Sequence, residues 1–275
     1  MLFNSILSLL DKAPPRSLIH SFLNGYARLD RGELAGPFFV RALEPLGHRP
    51  ATVRRTLHRM VETQELVSER RGRETFHRLG PFSLAASASA ERRIFGGTES
   101  DWDGQWTVAT YQFSAGEREA RDHVRVALEL AGFAPAARGV FLHPRDLGRQ
   151  VLEALRVLGL ERQLLVVRGE RQGLVSDREL IGRLWDLEAI SRGFETHLQI
   201  FEPLLADLEA WSPAEAFAVS TACVISFLPL ATASPELPSE LLPDDWSESR
   251  ARQLTVSILM DTAERMQQHG DALSN

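Results

Sequence analysis

Between Pro50 and Gln64 the sequence reads PATVRRTLHRMVETQ, and its Thr52, Arg54, Arg55, His58 and Arg59 are the side chains whose chemistry is most legible in the chain. A guanidinium can donate two parallel hydrogen bonds to the O6/N7 edge of guanine, and it pairs equally well with phosphate. At about 100° per residue, Val53, Leu57, Met60 and Val61 fall on one stripe, while Thr52, Arg55 and Arg59 fall on the opposite one, flanked by Arg54 and His58. The pattern predicts a helix that buries its apolar stripe and turns its cations outward. A few residues on, Leu66 to Glu69 and Thr75 to Leu79 read as two short strands, joined where Gly72 can take a positive φ, so that Arg70, Arg71 and Arg73 reach the tip of a hairpin. A basic helix fits the major groove of a DNA duplex, and an Arg-tipped ribbon beside it can reach flanking phosphates. Charged faces are also the ordinary surface of helices, so the order of the pieces carries the inference rather than any one of them. His58 and His77 read as partly exposed polar residues, because no second pair of ligands lies at metal-binding spacing.

The elements that must position this helix lie just before it. Ser17 to Asn24 places Leu18 and Phe22 on one helical face and is stopped by Gly25. Pro37 opens a second apolar helix, FFVRALEPLG, closed by Pro45 and Gly47, and Pro50 opens the third. Charge is segregated in the same sense. Residues 1–80 carry 13 Lys and Arg against 8 Asp and Glu, a net of +5, whereas the remainder carries 18 against 29, a net of −11. From residue 201 onward there are 3 basic and 12 acidic residues, so that end repels a polyanion and only the N-terminal part can be its platform.

Composition bounds the rest. With 275 residues, 44% hydrophobic and 25% charged, the chain has the make-up of a globular protein of two or three domains. One cysteine, Cys223, excludes an internal disulfide framework and a cysteine zinc cluster and agrees with a reducing compartment, so the cytoplasm is expected. The opening MLFNSILSLLDK does not resemble a secretory signal. Ala216 to Pro235 is uncharged and nearly long enough to span a membrane, but with Pro229 and several hydroxyls it reads as a buried helix ending at the proline.

The middle of the chain reads as βαββαβ: a strand at Trp106 to Phe113, a helix at Glu117 to Ala131, strands at Ala134 to Ala137 and Val140 to His143, a helix at Asp146 to Leu158 capped by Asp146, and a strand at Gln163 to Arg168. Beyond it the chain is helical. Leu180 to Phe201 is expected as one helix, Ser212 and Glu215 as a capping box for a helix from Ala216 to Phe227, and Ser247 to Gln267 as the last helix. Neither a GxSxG elbow nor paired carboxylates beside a histidine is present, so no catalytic residues are assigned.

These segments together resemble the PaaX family of bacterial repressors of phenylacetic acid degradation operons. The matching stretches are SLIHSFLNGY (Ser17 to Tyr26), LEPLGHRPATVRRTLHRMV (Leu43 to Val61), the hairpin LVSERRGRETFHRL, WDGQWTVATYQF (Trp102 to Phe113), GVFLHPRDL (Gly139 to Leu147) and LWDL (Leu184 to Leu187). The resemblance implies an α+β protein with a winged helix-turn-helix at 1–85, a linker at 86–100, a ferredoxin-like, Cas2-like dimerisation and coupling domain at 101–175 and a helical effector and dimerisation domain at 176–275. It implies a homodimer on a double-stranded DNA operator, released by a small-molecule effector of the aryl-acyl-CoA thioester type, typically phenylacetyl-CoA; no metal or other cofactor is expected. Where many relatives carry a basic and aromatic motif, this chain reads ACVISFLPLATASP and lacks the charge that coenzyme A phosphates want. A ligand-independent dimeric DNA-binding protein is therefore the first alternative. A Cas2-like metal nuclease is the second, although Tyr111, Gln112 and Phe113 stand where such an enzyme needs a carboxylate. Arg138, His143, Arg145, Trp185 and Arg192 are the candidate ligand contacts, with surface solvation and core packing as their plainer reading. Trp102 and Trp106 could line the same cleft or anchor the linker.

Overall fold

Prolines set the starts of the N-terminal helices. Pro15, Pro37 and Pro50 each stand within the first two positions of a helix, where the missing N–H costs nothing. The computed structural model describes residues 2–27, 32–81, 83–84, 87, 91, 94–96, 102–114, 116–156, 158–234 and 236–274. In chain order they form α1 (Leu2–Lys12), α2 (Pro15–Asn24), β1 (Glu33–Ala35), α3 (Gly36–Leu43), α4 (Pro50–Glu62), β2 (Leu66–Arg71), β3 (Glu74–Leu79), β4 (Gln105–Tyr111), α5 (Arg118–Leu130), β5 (Ala134–Ala137), β6 (Val140–His143), α6 (Gly148–Arg156), β7 (Leu164–Glu170), α7 (Asp177–Leu184), α8 (Leu187–Phe201), α9 (Pro213–Ala233) and α10 (Glu248–Ser274). Short 3-10 segments lie at Glu161–Gln163, Glu202–Ala210 and Ser239–Leu241. Strands and helices mix, and the strands form two sheets, ordered β1-β3-β2 and β5-β6-β4-β7.

The chain packs as two compact units, each assembled from distant segments. The first comprises Met1–Gly96, Gly193–Leu230 and Ser247–Asn275; the second comprises Gly97–Arg192 and Ala231–Trp246. In the first, Leu18, Ile19 and Phe22 of α2, Phe38, Phe39 and Leu43 of α3, and Val53, Leu57 and Met60 of α4 are buried together with Leu66 and Leu79 of the hairpin. Each large apolar side chain removed from water in this way contributes roughly 1.5–3 kcal/mol. The C-terminal helices belong to the same unit. Phe217 of α9 lies 5.1 Å from Phe22, and the Tyr26 hydroxyl donates to Asp271 of α10 at 2.8 Å. Gly270 makes that approach possible, since a Cβ there would stand 2.1 Å from the Tyr26 ring. His197 bridges Ser226 and Thr255 at 3.0 Å each, tying α8 to α9 and α10.

The second unit has the βαββαβ order expected, with an all-antiparallel sheet in which β4 pairs with both β6 and β7. One face buries Ala109, Phe141 and Leu164 against Val124 and Leu128 of α5 and Val151 and Leu155 of α6. A second cluster joins Trp106 to Ile181 of α7 and to Leu237, Leu241 and Leu242.

Several boundaries differ from expectation for identifiable reasons. The helix expected over Leu180 to Phe201 is broken at Trp185, which is extended (φ −122°, ψ 141°). Its indole donates to the Gly132 carbonyl at 3.3 Å, and Asp186 restarts the helix by accepting from the Ala189 amide at 3.0 Å. α9 does not stop at Pro229. A proline deletes only one helical donor, and Ala231 one turn beyond Phe227 is buried. The Ser212 and Glu215 capping box forms, with Ser212 N to Glu215 Oε2 at 2.9 Å and Glu215 N to Ser212 Oγ at 3.3 Å. α10 runs to Ser274 rather than Gln267, held by Tyr26 through Asp271 and Ser274. α6 begins at Gly148, which leaves Asp146 outside its cap. β1 was not anticipated; it pairs with β3 through Leu34 and His77. α9 has the length and apolarity of a membrane span, but Ala216, Phe217, Val219, Ala222, Cys223 and Phe227 are buried in the first unit.

Candidate nucleic-acid interface

α4 is held from beneath by Val53, Leu57 and Met60, which are 0%, 4% and 1% exposed, so its rotation about its own axis is fixed. The other side of the helix then has only one direction to face. Thr52, Arg54, Arg55, His58 and Arg59 are all exposed. The guanidinium groups of Arg54, Arg55 and Arg59 have no ion-pair or hydrogen-bond partner among the described residues, whereas His58 lies 3.8 Å from Glu62. Thr63 closes α4 through its amide to the Arg59 carbonyl at 2.9 Å, and its hydroxyl donates to Glu65 at 2.7 Å. Glu65, in the turn from α4 to β2, also accepts from Arg16 at 2.5 Å and lies 3.2 Å from His20, both on α2. Burial pushes the Glu65 carboxyl up, but the hydrogen bonds from Thr63, Arg16 and His20 outweigh it and hold the group below the usual carboxylate range. The turn behind α4 is thereby pinned to α2.

Gly72 turns the hairpin with φ +62° and open space around it. The three arginines at its tip are not equivalent. Arg71 is forked onto Glu33 of β1, bonds Glu69 at 2.8 and 3.0 Å, and stacks 5.0 Å over the Phe76 ring. Its charge is answered within the protein. Arg70 reaches only the Gly72 carbonyl, at 3.4 Å, and Arg73 has no partner among the described residues.

The candidate ligand contacts lie in the second unit, and the structure brings only three of them together. His143 is fully buried, its Nδ1 accepting from the Arg145 amide at 3.0 Å and its ring 6.1 Å from Trp185. Arg145 donates from Nε to the Glu236 carbonyl at 2.6 Å. Arg138 is exposed in the β5–β6 turn, at the far end of β6 from His143, and Arg192 is exposed on α8, 3.9 Å from Glu188. Trp102 and Trp106 pack edge to face at 6.3 Å; Trp102 donates to the Gln105 and Pro144 carbonyls and Trp106 to Asp177. Both indoles thus anchor the second unit. His77 is buried with Nδ1 unpartnered among the described residues, and burial lowers its pKa. Cys223 is buried as well, its thiol pushed up to about 12 by desolvation, which leaves it protonated and unreactive. No group of three or more His, Cys, Asp or Glu able to hold a metal occurs among the described residues.

Sequence reasoning missed the Glu33 partner of Arg71, because a three-residue strand leaves no periodicity to read. It also missed a cleft in the first unit, lined by α2, α9 and α10 together with Glu65 and described residues between Ser83 and Phe95.

Three family models match successive parts of the chain: a PaaX-like protein model over residues 14–81, the PaaX protein central Cas2-like domain over 99–181, and the PaaX-like protein C-terminal domain over 185–272. The chain belongs to the PaaX family. It is 27% identical over 255 residues to the transcriptional repressor PaaX of Escherichia coli strain K12, a match covering 90% of this chain and 80% of that one. Among solved structures it is similar to an uncharacterized protein from Mycobacterium tuberculosis, with TM-score 0.57 and 21% identity over 92% of this chain and 97% of the other, a likeness of fold alone. PaaX membership makes the chain a transcriptional repressor and a regulator rather than an enzyme.

Proposed function

We propose that this PaaX protein is a cytoplasmic winged helix-turn-helix repressor in which α4 enters the major groove of a double-stranded operator and the β2–β3 hairpin forms the wing against the flanking backbone. The observation that carries the reading is the unpartnered arginine face of α4, set by a buried stripe directly opposite. Arg54, Arg55 and Arg59 supply guanine contacts and phosphate contacts, Thr52 and His58 flank them, and Arg70 and Arg73 reach phosphates. The protein acts as a homodimer, whose two-fold axis presents two α4 helices to a partly palindromic site. A small-molecule effector lowers operator affinity by binding one arrangement of the dimer better than the other; the family resemblance points to an aryl-acyl-CoA thioester such as phenylacetyl-CoA.

Fluorescence anisotropy on labelled duplexes from the upstream region of the protein's own operon tests this. Arg55→Ala should weaken binding by about 1–3 kcal/mol and relax base preference. Unchanged affinity and preference would remove α4 from the reading.

A further inference from the structure

The sheet of the second unit, ordered β5-β6-β4-β7, has two edges, and they differ. β5 is four residues long, carries Pro135, and its register against β6 slips between Pro135 and Ala137. A proline and an irregular register blunt an edge against further pairing. β7 has neither. Its seven residues, Leu164–Glu170, keep one continuous register with β4, and no backbone hydrogen bond on its other side occurs among the described residues. Side chains alternate along it. Leu164 and Val166 turn into the core against α5 and α6, where a Cβ on Gly148 would stand 2.7 Å from Val166. Leu165 and Val167 point to the opposite face and are 62% and 53% exposed, and the space beside Gly169 is open. Val108, opposite Val167 on β4, and Val140 on β6 continue that apolar face inward and are half-buried.

An open, regular, apolar strand edge is a template for another strand. We propose that a second copy of this chain takes it: β7 of one copy pairs antiparallel with β7 of the other about a two-fold axis at Val166, so that the two four-stranded sheets run on as one. The inference rests on the homodimer reading and names the surface that forms the dimer. Identical strands pair antiparallel about a two-fold axis because each offers the other the same row of donors and acceptors. With that axis normal to the sheet, both copies keep the same face outward, so even-numbered residues stand opposite even and odd opposite odd. The register centred on Val166 sets Leu165 of each copy against Val167 of the other, and the two exposed apolar side chains cover one another. The same register sets Arg162, exposed in the 3-10 turn leading into β7, against Glu170 at the far end of the strand. Neither of these charged side chains has a partner among the described residues. A register centred on Val167 would instead face Leu165 with Gly169 and Leu164 with Glu170, matching neither apolar area nor charge. An open groove between α6 and β7, lined by Arg149, Glu153 and Arg156, lies beside the edge and carries both signs of charge, which suits a surface that meets its own copy.

Sedimentation equilibrium of the full-length protein, alone and with an upstream duplex, tests this. Wild type should sediment as a dimer. Val167→Lys, which brings two like charges close to the axis, should raise the dimer dissociation constant by about tenfold or more, and Leu165→Lys should do the same. Both positions are exposed, so the separated chains keep wild-type circular dichroism. Ala136→Lys, on the blunted β5 edge, should leave the dimer unchanged. Exchange of charge reads the register: Arg162→Glu and Glu170→Arg should each weaken the dimer several-fold, and the variant carrying both should recover wild-type affinity. A double variant no tighter than either single overturns the axis at Val166. Wild type that dimerises while both lysine variants dimerise equally well overturns the β7 edge and leaves the homodimer reading standing. Wild type that stays monomeric, alone and on the duplex, rejects the homodimer reading together with the edge.

Discussion

Arg55 and Arg145 are the same side chain in opposite circumstances. Arg55 stands on the exposed face of α4 with no partner among the described residues, while Arg145 is half-buried in the second unit and gives its Nε to the Glu236 carbonyl at 2.6 Å. A guanidinium whose donors are left to water can exchange that water for a phosphate or a guanine edge. One whose donors are spent inside the fold holds the fold together. Arg71 shows the same division within a single hairpin, since Glu33 and Glu69 answer it and leave Arg73 open.

The largest effect expected from pressing this contrast is on stability. Trp106, 2% exposed and bonded to Asp177 at 3.0 Å, belongs to the cluster around Ile181 in the second unit. Trp106→Ala should lower unfolding free energy by about 3–5 kcal/mol in urea titrations. If the variant melted like wild type, the second unit would not be the closed scaffold described.

Next is a pH dependence seated in the first unit. Desolvation lowers the pKa of buried His197 from 6.5 to about 4. The folded state thus favours the neutral ring, so this contribution is full above pH 6.5 and is lost as the pH falls from there towards 4. It is on the order of 3 kcal/mol at most, taking about 1.4 kcal/mol per pKa unit. His197→Gln should flatten thermal stability between pH 6.5 and 4 relative to wild type; a profile that stays equally steep would move the effect elsewhere.

Arg145→Ala should cost about 1–3 kcal/mol of stability, through an orphaned carbonyl and lost packing, with duplex affinity of the folded protein unchanged. A selective loss of DNA binding would break the contrast with Arg55. The smallest effect separates the hairpin arginines. Arg73→Ala should reduce the slope of log affinity against log salt by about 1, and Arg71→Ala by less, since two carboxylates already neutralise it.

What the sequence made legible was local. The buried and exposed faces of α4, the hairpin around Gly72, the βαββαβ order and the Ser212 and Glu215 cap each follow from spacings of a few residues. What it hid was contact between distant segments. Tyr26 meeting Asp271, Glu33 meeting Arg71 and Glu236 meeting Arg145 join residues dozens to hundreds of positions apart, and no periodicity encodes them. The cleft was invisible for the same reason, because its walls come from α2, α9, α10, Glu65 and residues between Ser83 and Phe95. The break at Trp185 was hidden by a helical pattern that runs through it: Leu184 and Leu187 keep the spacing while the indole bonds the Gly132 carbonyl.

The most direct measurement is the affinity of full-length protein for an upstream duplex at moderate salt, comparing wild type with Arg54→Ala/Arg55→Ala/Arg59→Ala. The account predicts that the triple variant keeps the wild-type melting temperature and loses most duplex binding. A triple variant that binds the duplex as tightly as wild type, with the same salt dependence, would contradict it.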